Sequence, residues 1–246
     1  MSEAVDPSRR VLRVLSWNIC ELRGDLDALF TAIREIRPDI MLVQEAPRFF
    51  LPQLRLQNVA RRVGMRVLLG GRFGRGLAIL GTDEMADRVV TRGLLRVRQQ
   101  IVDANSTYPR GVAAVRLDLG GAGEMVFSCI HFALQESNRV THARRACELI
   151  EGAGAPVVIG GDLNEVGTGP ARTLLSTVAH DPGDDATQWT FPARRPQRRI
   201  DAIYVTEGVD VVREDRLTQT ASVPAGRFRE ASDHLPVLLE IEVPAF

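Results

Sequence analysis

Val157–Asn164 reads VVIGGDLN: a short apolar run, two glycines, then Asp162 and Asn164 separated by one leucine. An apolar run that ends in polar groups is the pattern of a buried strand whose tip reaches solvent. Side chains alternate along an extended chain, so Asp162 and Asn164 are expected on one side and Leu163 on the other. Gly160 and Gly161, which lack a Cβ, would let a ligand approach the backbone closely.

Working outward, the same arrangement recurs. Val11–Trp17 (VLRVLSW) predicts a strand with Asn18 at its end. Asp25 can cap a helix running to about Ile36, and Pro38 stops it. Ile40–Val43 is a second short apolar strand, with Gln44 and Glu45 after it. A second helix is expected over Phe49–Val63, then strands at Arg66–Leu69 and Leu77–Leu80. The turn between them, GGRFGRG, reads as a hairpin connection, because no helix follows it as a phosphate-binding loop requires. Strand-like segments continue at Asp87–Thr91, Leu94–Ile101, Gly111–Leu117 and Met125–Cys129. A helix over Glu136–Glu151 leads to Pro156 and the opening stretch.

Beyond Asn164 the pattern predicts a short helix at Pro170–Val178 and a loop from His180 to Arg199. Strands follow at Arg199–Val205 (RIDAIYV), Val209–Arg213 and Pro236–Val243. There is no repeat, low-complexity tract or linker. One domain of mixed strands and helices over residues 1–246 is expected, with residues 1–10 as a flexible tail.

Composition limits the function. With 246 residues, 45% hydrophobic and 25% charged, the chain can bury a sizeable core. No apolar run approaches the roughly 20 residues of a membrane helix. The N-terminal MSEAVDPSRR is unlike a secretory signal, so a soluble, cytoplasmic monomer without membrane insertion is expected. Cys20, Cys129 and Cys147 have no CxxC spacing and read as buried thiols. All 31 Lys+Arg residues are arginine, and the formal net charge is +0. That neutrality argues against gripping nucleic acid through a global field.

The polar residues at strand ends form a set: Asn18, Glu45, His131, Asp162, Asn164, Asp201, Asp233 and His234. Each alone reads as a turn former or cap. Together they are the groups of a hydrolytic centre. Glu45 and Asp233 are hard oxygen ligands of the kind magnesium takes. His234 has the pKa range of a general base, and Asp201 can fix its tautomer.

The ordered segments LSWNIC, LVQEA, SCIHF, GGDLN, RRIDAIYV and SDHLPV, from residue 15 to residue 237, resemble the successive motifs of the endonuclease/exonuclease/phosphatase family. This is the fold of deoxyribonuclease I, exonuclease III and the sphingomyelinases. The resemblance implies an α/β four-layer sandwich, two mostly antiparallel sheets flanked by helices, and a divalent-metal phosphoesterase using Mg2+ or Mn2+. By position, Glu45 would be the principal metal ligand, with Asn18 and Asp233 completing or supporting the site. His234 would be the general base, paired with Asp201. Asp162 and Asn164 would orient the attacking water and bind the phosphoryl group, and His131 would donate to a phosphate oxygen. Where certain DNA-repair members carry an acid, this chain has Cys20.

No activated hydroxyl flanks Asp162 or Asn164, which disfavours a covalent serine enzyme. Arginines cluster around the expected site: Arg194, Arg195, Arg198 and Arg199 precede Asp201, and Arg227 and Arg229 precede Asp233. Arg110, in YPRG ahead of a strand, is the best candidate for a phosphate contact, since a guanidinium binds phosphate bidentately. An aromatic content of 5% leaves few rings to stack unpaired bases. A small phosphodiester or phosphomonoester (nucleotide, lipid head group or metabolite) is therefore the expected substrate, with DNA cleavage second. A non-catalytic family member that binds phosphorylated ligands or a protein is a third possibility; it would have lost metal or base residues, and none is missing.

Overall fold

A computed structural model describes residues 8–96, 111–184 and 186–246. Its elements alternate along the chain. The first part holds β1 (Arg9–Asn18), α1 (Leu26–Ile36), β2 (Ile40–Gln44), α2 (Pro52–Arg62), β3 (Arg66–Leu69), β4 (Ala78–Gly81), α3 (Asp83–Asp87) and β5 (Val89–Arg96). The second holds β6 (Gly111–Asp118), β7 (Glu124–His131), α4 (Glu136–Glu151), β8 (Val157–Asp162), α5 (Pro170–Leu175), β9 (Asp201–Val205), β10 (Asp210–Arg216), α6 (Ala225–Ala231) and β11 (Val237–Pro244).

The strands form two sheets, ordered β10-β11-β1-β2-β4-β3 and β5-β6-β7-β8-β9. Each contains one parallel pair, β1 with β2 and β7 with β8, and every other pairing is antiparallel. The two parallel pairs are β-α-β units, crossed over by α1 and by α4, and both end in candidate site residues.

Strand alternation builds the layers. Leu12, Val14, Ile40 and Leu42 point between the sheets, where they meet Val115, Phe127, Val158 and Ile203. Leu15, Trp17, Met41 and Val43 point the other way, into a cluster with α1, α2 and α6. On the outer face of the second sheet, Ile159 and Tyr204 pack with Ala146 and Ile150 of α4 and Leu175 of α5. Helix, sheet, sheet and helix thus enclose three apolar layers, the α/β four-layer sandwich expected from the motifs.

Local signals explain most boundaries and several differences. The Asp25 side chain accepts from the Ala28 amide and caps α1, which ends with Arg37 in the left-handed region before Pro38. α2 starts at Pro52, not Phe49: proline suits the first helical position, and Phe49–Leu51 lie outside the helix. Turn 70–76 does join the antiparallel pair β3 and β4. Of the strands expected at Asp87–Thr91 and Leu94–Ile101, the described residues from Val89 to Arg96 form one strand, β5, and residues 97–101 lie outside the described residues; Asp87 belongs to α3, whose cap Thr82 accepts from the Met85 amide. α6 replaces part of an expected loop; only Phe228 and Ala231 of its seven residues are buried, too few to show periodicity. Arg9 and Arg10, expected in a tail, already pair with Pro244 and Val243. Among the described residues no helix is long and apolar enough to cross a membrane.

Candidate active site

Register places three candidate residues in one row. His131 at the end of β7 is opposite Asp162 at the end of β8, and Asp162 is opposite Asp201 at the start of β9. In the other sheet Asn18 is opposite Gln44, immediately before Glu45. The sheets meet here: Asn18 Nδ2 donates to Asp162 Oδ2 at 3.2 Å, and Asn18 Oδ1 accepts from the Cys20 amide at 3.1 Å.

Asp162 collects further partners. The Asn164 amide donates to its Oδ1 at 2.9 Å, and His131 Nε2 lies 3.3 Å from its Oδ2. Strand alternation does not carry Asn164 to this place, as the sequence suggested. β8 stops at Asp162, and Asn164 turns into the left-handed region (φ 51), a conformation asparagine tolerates. A local turn closed on the Asp162 carboxylate therefore joins the two residues, and the Asn164 side-chain amide is tied to the Phe132 carbonyl at 3.0 Å. Nor do the glycines serve a ligand: a Cβ on Gly161 would strike the Ile130 carbonyl, and one on Gly160 would meet Ile203 and Leu42. They let the strands and sheets close up behind the site.

His234 lies in the loop before β11 and is buried. Its Nδ1 is 2.9 Å from Asp201 Oδ2, and its Nε2 is 3.8 Å from Asp162 Oδ2. Three groups outside the candidate set hold it. Trp17 Nε1 donates to its carbonyl at 2.9 Å, Ser232 Oγ accepts from its amide at 3.2 Å, and Phe191 packs on its ring with centroids 4.7 Å apart. Thr190 Oγ1 accepts from the amides of Ile200 and Asp201. Ser232, two residues before His234, had a local signal; Trp17, Thr190 and Phe191 come from distant segments and had none.

The charges are mutually dependent. Burial opposes ionisation of Asp162, yet His131 and His234 override it, and its carboxyl lies well below the ordinary range. Burial pushes the Asp201 carboxyl up. Burial would push the His234 imidazolium down, but the negative charges of Asp201 and Asp162 prevail and hold it protonated above its ordinary range.

A second group of acids lies beside this row. Glu45 follows β2 with φ 49, turning the chain out of the sheet, and its carbonyl accepts from the Glu21 amide at 2.9 Å. The Cys20 thiol is pushed up to about 12, first by burial, then by the charges of Asp233 and Glu45. Both acids therefore act on the same spot, and the thiol there stays neutral. By type, the carboxylates of Glu45 and Asp233 and the amide oxygen of Asn18 are hard donors that suit a divalent cation such as Mg2+ or Mn2+. Asp162, Asp201 and His234 also bring ligand atoms within 4.8 Å of one another, a second spacing at which a cation could be held. Their charges, however, are already matched within the row.

The arginines divide. Arg199 is not on the rim: it is buried, donating to Asp181 at 2.7 Å and Glu214 at 2.6 Å. Arg227 pairs with Asp25 and Asp27 on the surface. Arg194 and Arg229 line a cleft of about 320 Å³ beside Asp233, which Arg23 also lines. Arg110 lies outside the described residues.

Comparison with known proteins bears on the fold and the family. The model of the Endonuclease/Exonuclease/phosphatase family matches residues 15–234. No curated protein matches the sequence. Among solved structures, an endonuclease/exonuclease/phosphatase family protein from Bacteroides thetaiotaomicron is similar with TM-score 0.73 at 21% identity, over 96% of this chain and 98% of that one. A mannosyl-6-phosphatase from the same species has TM-score 0.73 at 22% identity, over 94% and 99%. TDP2 from D. rerio, complexed with a single strand DNA product, has TM-score 0.69 at 16% identity, over 94% and 98%. With the family model matching residues 15–234, a stretch that includes every candidate residue from Asn18 to His234, the chain belongs to the endonuclease/exonuclease/phosphatase family, whose members are hydrolytic phosphoesterases.

Proposed function

We propose that this chain hydrolyses a small phosphodiester or phosphomonoester by in-line attack of water, assisted by a divalent cation. The observation that carries the reading is the bonded run Asn18–Asp162–His131 beside the His234–Asp201 pair, at the edge where both parallel strand pairs end.

Glu45 and Asp233, supported by Asn18, would hold Mg2+ or Mn2+, which when bound supplies positive charge to the non-bridging phosphate oxygens. His234 takes the proton of the attacking water at Nε2, while Asp201 holds Nδ1 and fixes the tautomer. Two flanking carboxylates raise its proton affinity, which makes the deprotonated ring a strong base. Asp162, kept ionised by its partners, accepts from the water and sets its line of attack. His131 keeps Asp162 aimed; donation to a phosphate oxygen, the role its motif suggests, would require it to leave that carboxylate. Arg229 and Arg194 supply cations along the cleft beside Asp233.

A phosphatase named for mannosyl-6-phosphate and a protein bound to a DNA product share this fold, and the formal net charge of +0 favours the smaller ester. The test is turnover of bis-p-nitrophenyl phosphate and p-nitrophenyl phosphate with Mg2+ or Mn2+, with and without EDTA, beside plasmid and abasic duplex DNA. Metal-dependent turnover of the small esters supports the reading. None above that of His234→Ala refutes it, and preferential cutting of DNA refutes the substrate class.

A further inference from the structure

Immediately after Glu45 the chain changes character. From residue 46 to residue 82 there are seven arginines and no acid, in a protein whose formal net charge is +0. The same stretch exposes large apolar side chains: Phe49 at 55%, Phe50 at 91%, Leu51 at 69%, Leu54 at 57% and Phe73 at 70%. The two loops that carry them adjoin, since the Ala46 amide donates to the Gly76 carbonyl at 2.9 Å and Gly71 packs on Gln53.

The loop is braced outward. Phe50 (φ 48) and Leu51 (φ 57) are in the left-handed region, which bulky L-residues seldom adopt. Asparagine or glycine would sit there with less strain, so these side chains are held in water at a backbone cost. Arg48 lies over the Phe49 ring at 4.5 Å, and Arg55 Nη1 donates to the Phe49 carbonyl at 3.3 Å. Arg55, Arg72 and Arg75 form no ion pair among the described residues.

We infer that this apolar, cation-flanked rim docks the protein on an anionic lipid surface. Phe50 and Leu51 enter the acyl boundary, and Arg55, Arg72 and Arg75 meet headgroup phosphates. Exposed leucine adds apolar area to such an interface and offers nothing to a stacked base, so a bilayer suits the patch better than single-stranded nucleic acid. Because Glu45 directly precedes the rim, docking turns the site toward phosphoesters carried by the lipid surface. That last step rests on the proposed hydrolysis; the docking itself does not.

The experiment is co-sedimentation of the full chain, in EDTA, with vesicles of phosphatidylcholine alone or with about one third phosphatidylserine. Two double variants accompany it, Phe50→Asn with Leu51→Asn, which relieves the backbone, and Arg72→Gln with Arg75→Gln. Binding should require the anionic lipid and weaken about tenfold or more in each double variant, while turnover of the soluble diester stays unchanged. No binding to anionic vesicles, or equal binding by both double variants and the parent, overturns the inference. Binding of a labelled oligo-dT that needs Phe50 and Leu51, without vesicle binding, overturns it in favour of nucleic acid. Vesicle binding without any diester turnover supports docking and counts against the hydrolytic reading alone.

Discussion

Asn18 Nδ2 and Asp162 Oδ2, 3.2 Å apart, join the first sheet to the second at the edge that carries the candidate site. Asn18 is buried, so Asn18→Ala leaves Asp162 short of a donor and should cost about 1–3 kcal/mol of stability. Asn18→Asp should cost more, because it sets a second carboxylate against the first. Urea denaturation of both variants checks the order; an Asp variant as stable as the parent would refute the stated role of the contact.

His234→Ala should lower kcat by about two to four orders of magnitude while leaving Mn2+ affinity near the parent value. Calorimetric titration with Mn2+ beside diester kinetics separates the two effects. Near-normal turnover would reassign the base.

Asp201→Asn removes the largest favourable charge on the His234 imidazolium. The acid limb, on which log kcat rises with pH, should therefore move to lower pH, and kcat on the plateau should fall as tautomer control is lost. A limb that stays in place would show that another group controls it.

Arg199→Met leaves Asp181 and Glu214 without a buried cation they share, and should destabilise the fold by about 3–5 kcal/mol. Arg199 is two residues before Asp201, and its carbonyl accepts from Arg172 Nη1 at 3.2 Å, so kcat should fall as well, through misplacement of Asp201. A melting curve near that of the parent would refute the structural role.

Stability of the metal-free protein should be dome-shaped in pH. Asp162 is depressed in the folded chain, so its contribution is present above about pH 4 and lost as pH falls through the folded value. His234 is raised, so its contribution is present below about pH 6.5 and lost as pH rises through the folded value. Melting temperatures in EDTA should therefore fall at both ends, and His234→Gln should flatten the alkaline side and also weaken the acid side, because it removes one of the two cations that hold Asp162 ionised.

The strands and the row of polar ends were legible because apolar runs closed by polar residues survive in a linear reading. Asn18, Glu45, His131, Asp162 and Asp201 all lie at or next to strand ends, as that pattern implies. Long-range supports were not. Thr190 reaches Asp201 and Trp17 reaches His234 only through the folded sheets, and nothing around either residue announces a partner. Arg199 shows the limit from the other side: a cation in an arginine-rich loop reads as surface until Asp181 and Glu214 are seen to enclose it. Asn164 comes to lie beside Asp162 through a turn in the left-handed region, not through the strand alternation the spacing suggests.

β1 pairs with β11, and the Trp17–His234 hydrogen bond spans 217 residues of sequence. Closing a loop of that length carries an entropy cost that local contacts do not. A chain emerging from the ribosome would hold Glu45, His131 and Asp162 well before it held Asp233 and His234. Hydrolytic competence should therefore arrive abruptly, once residues 233–244 have emerged, and translation products that stop before Asp233 should carry most of these strands and none of the activity.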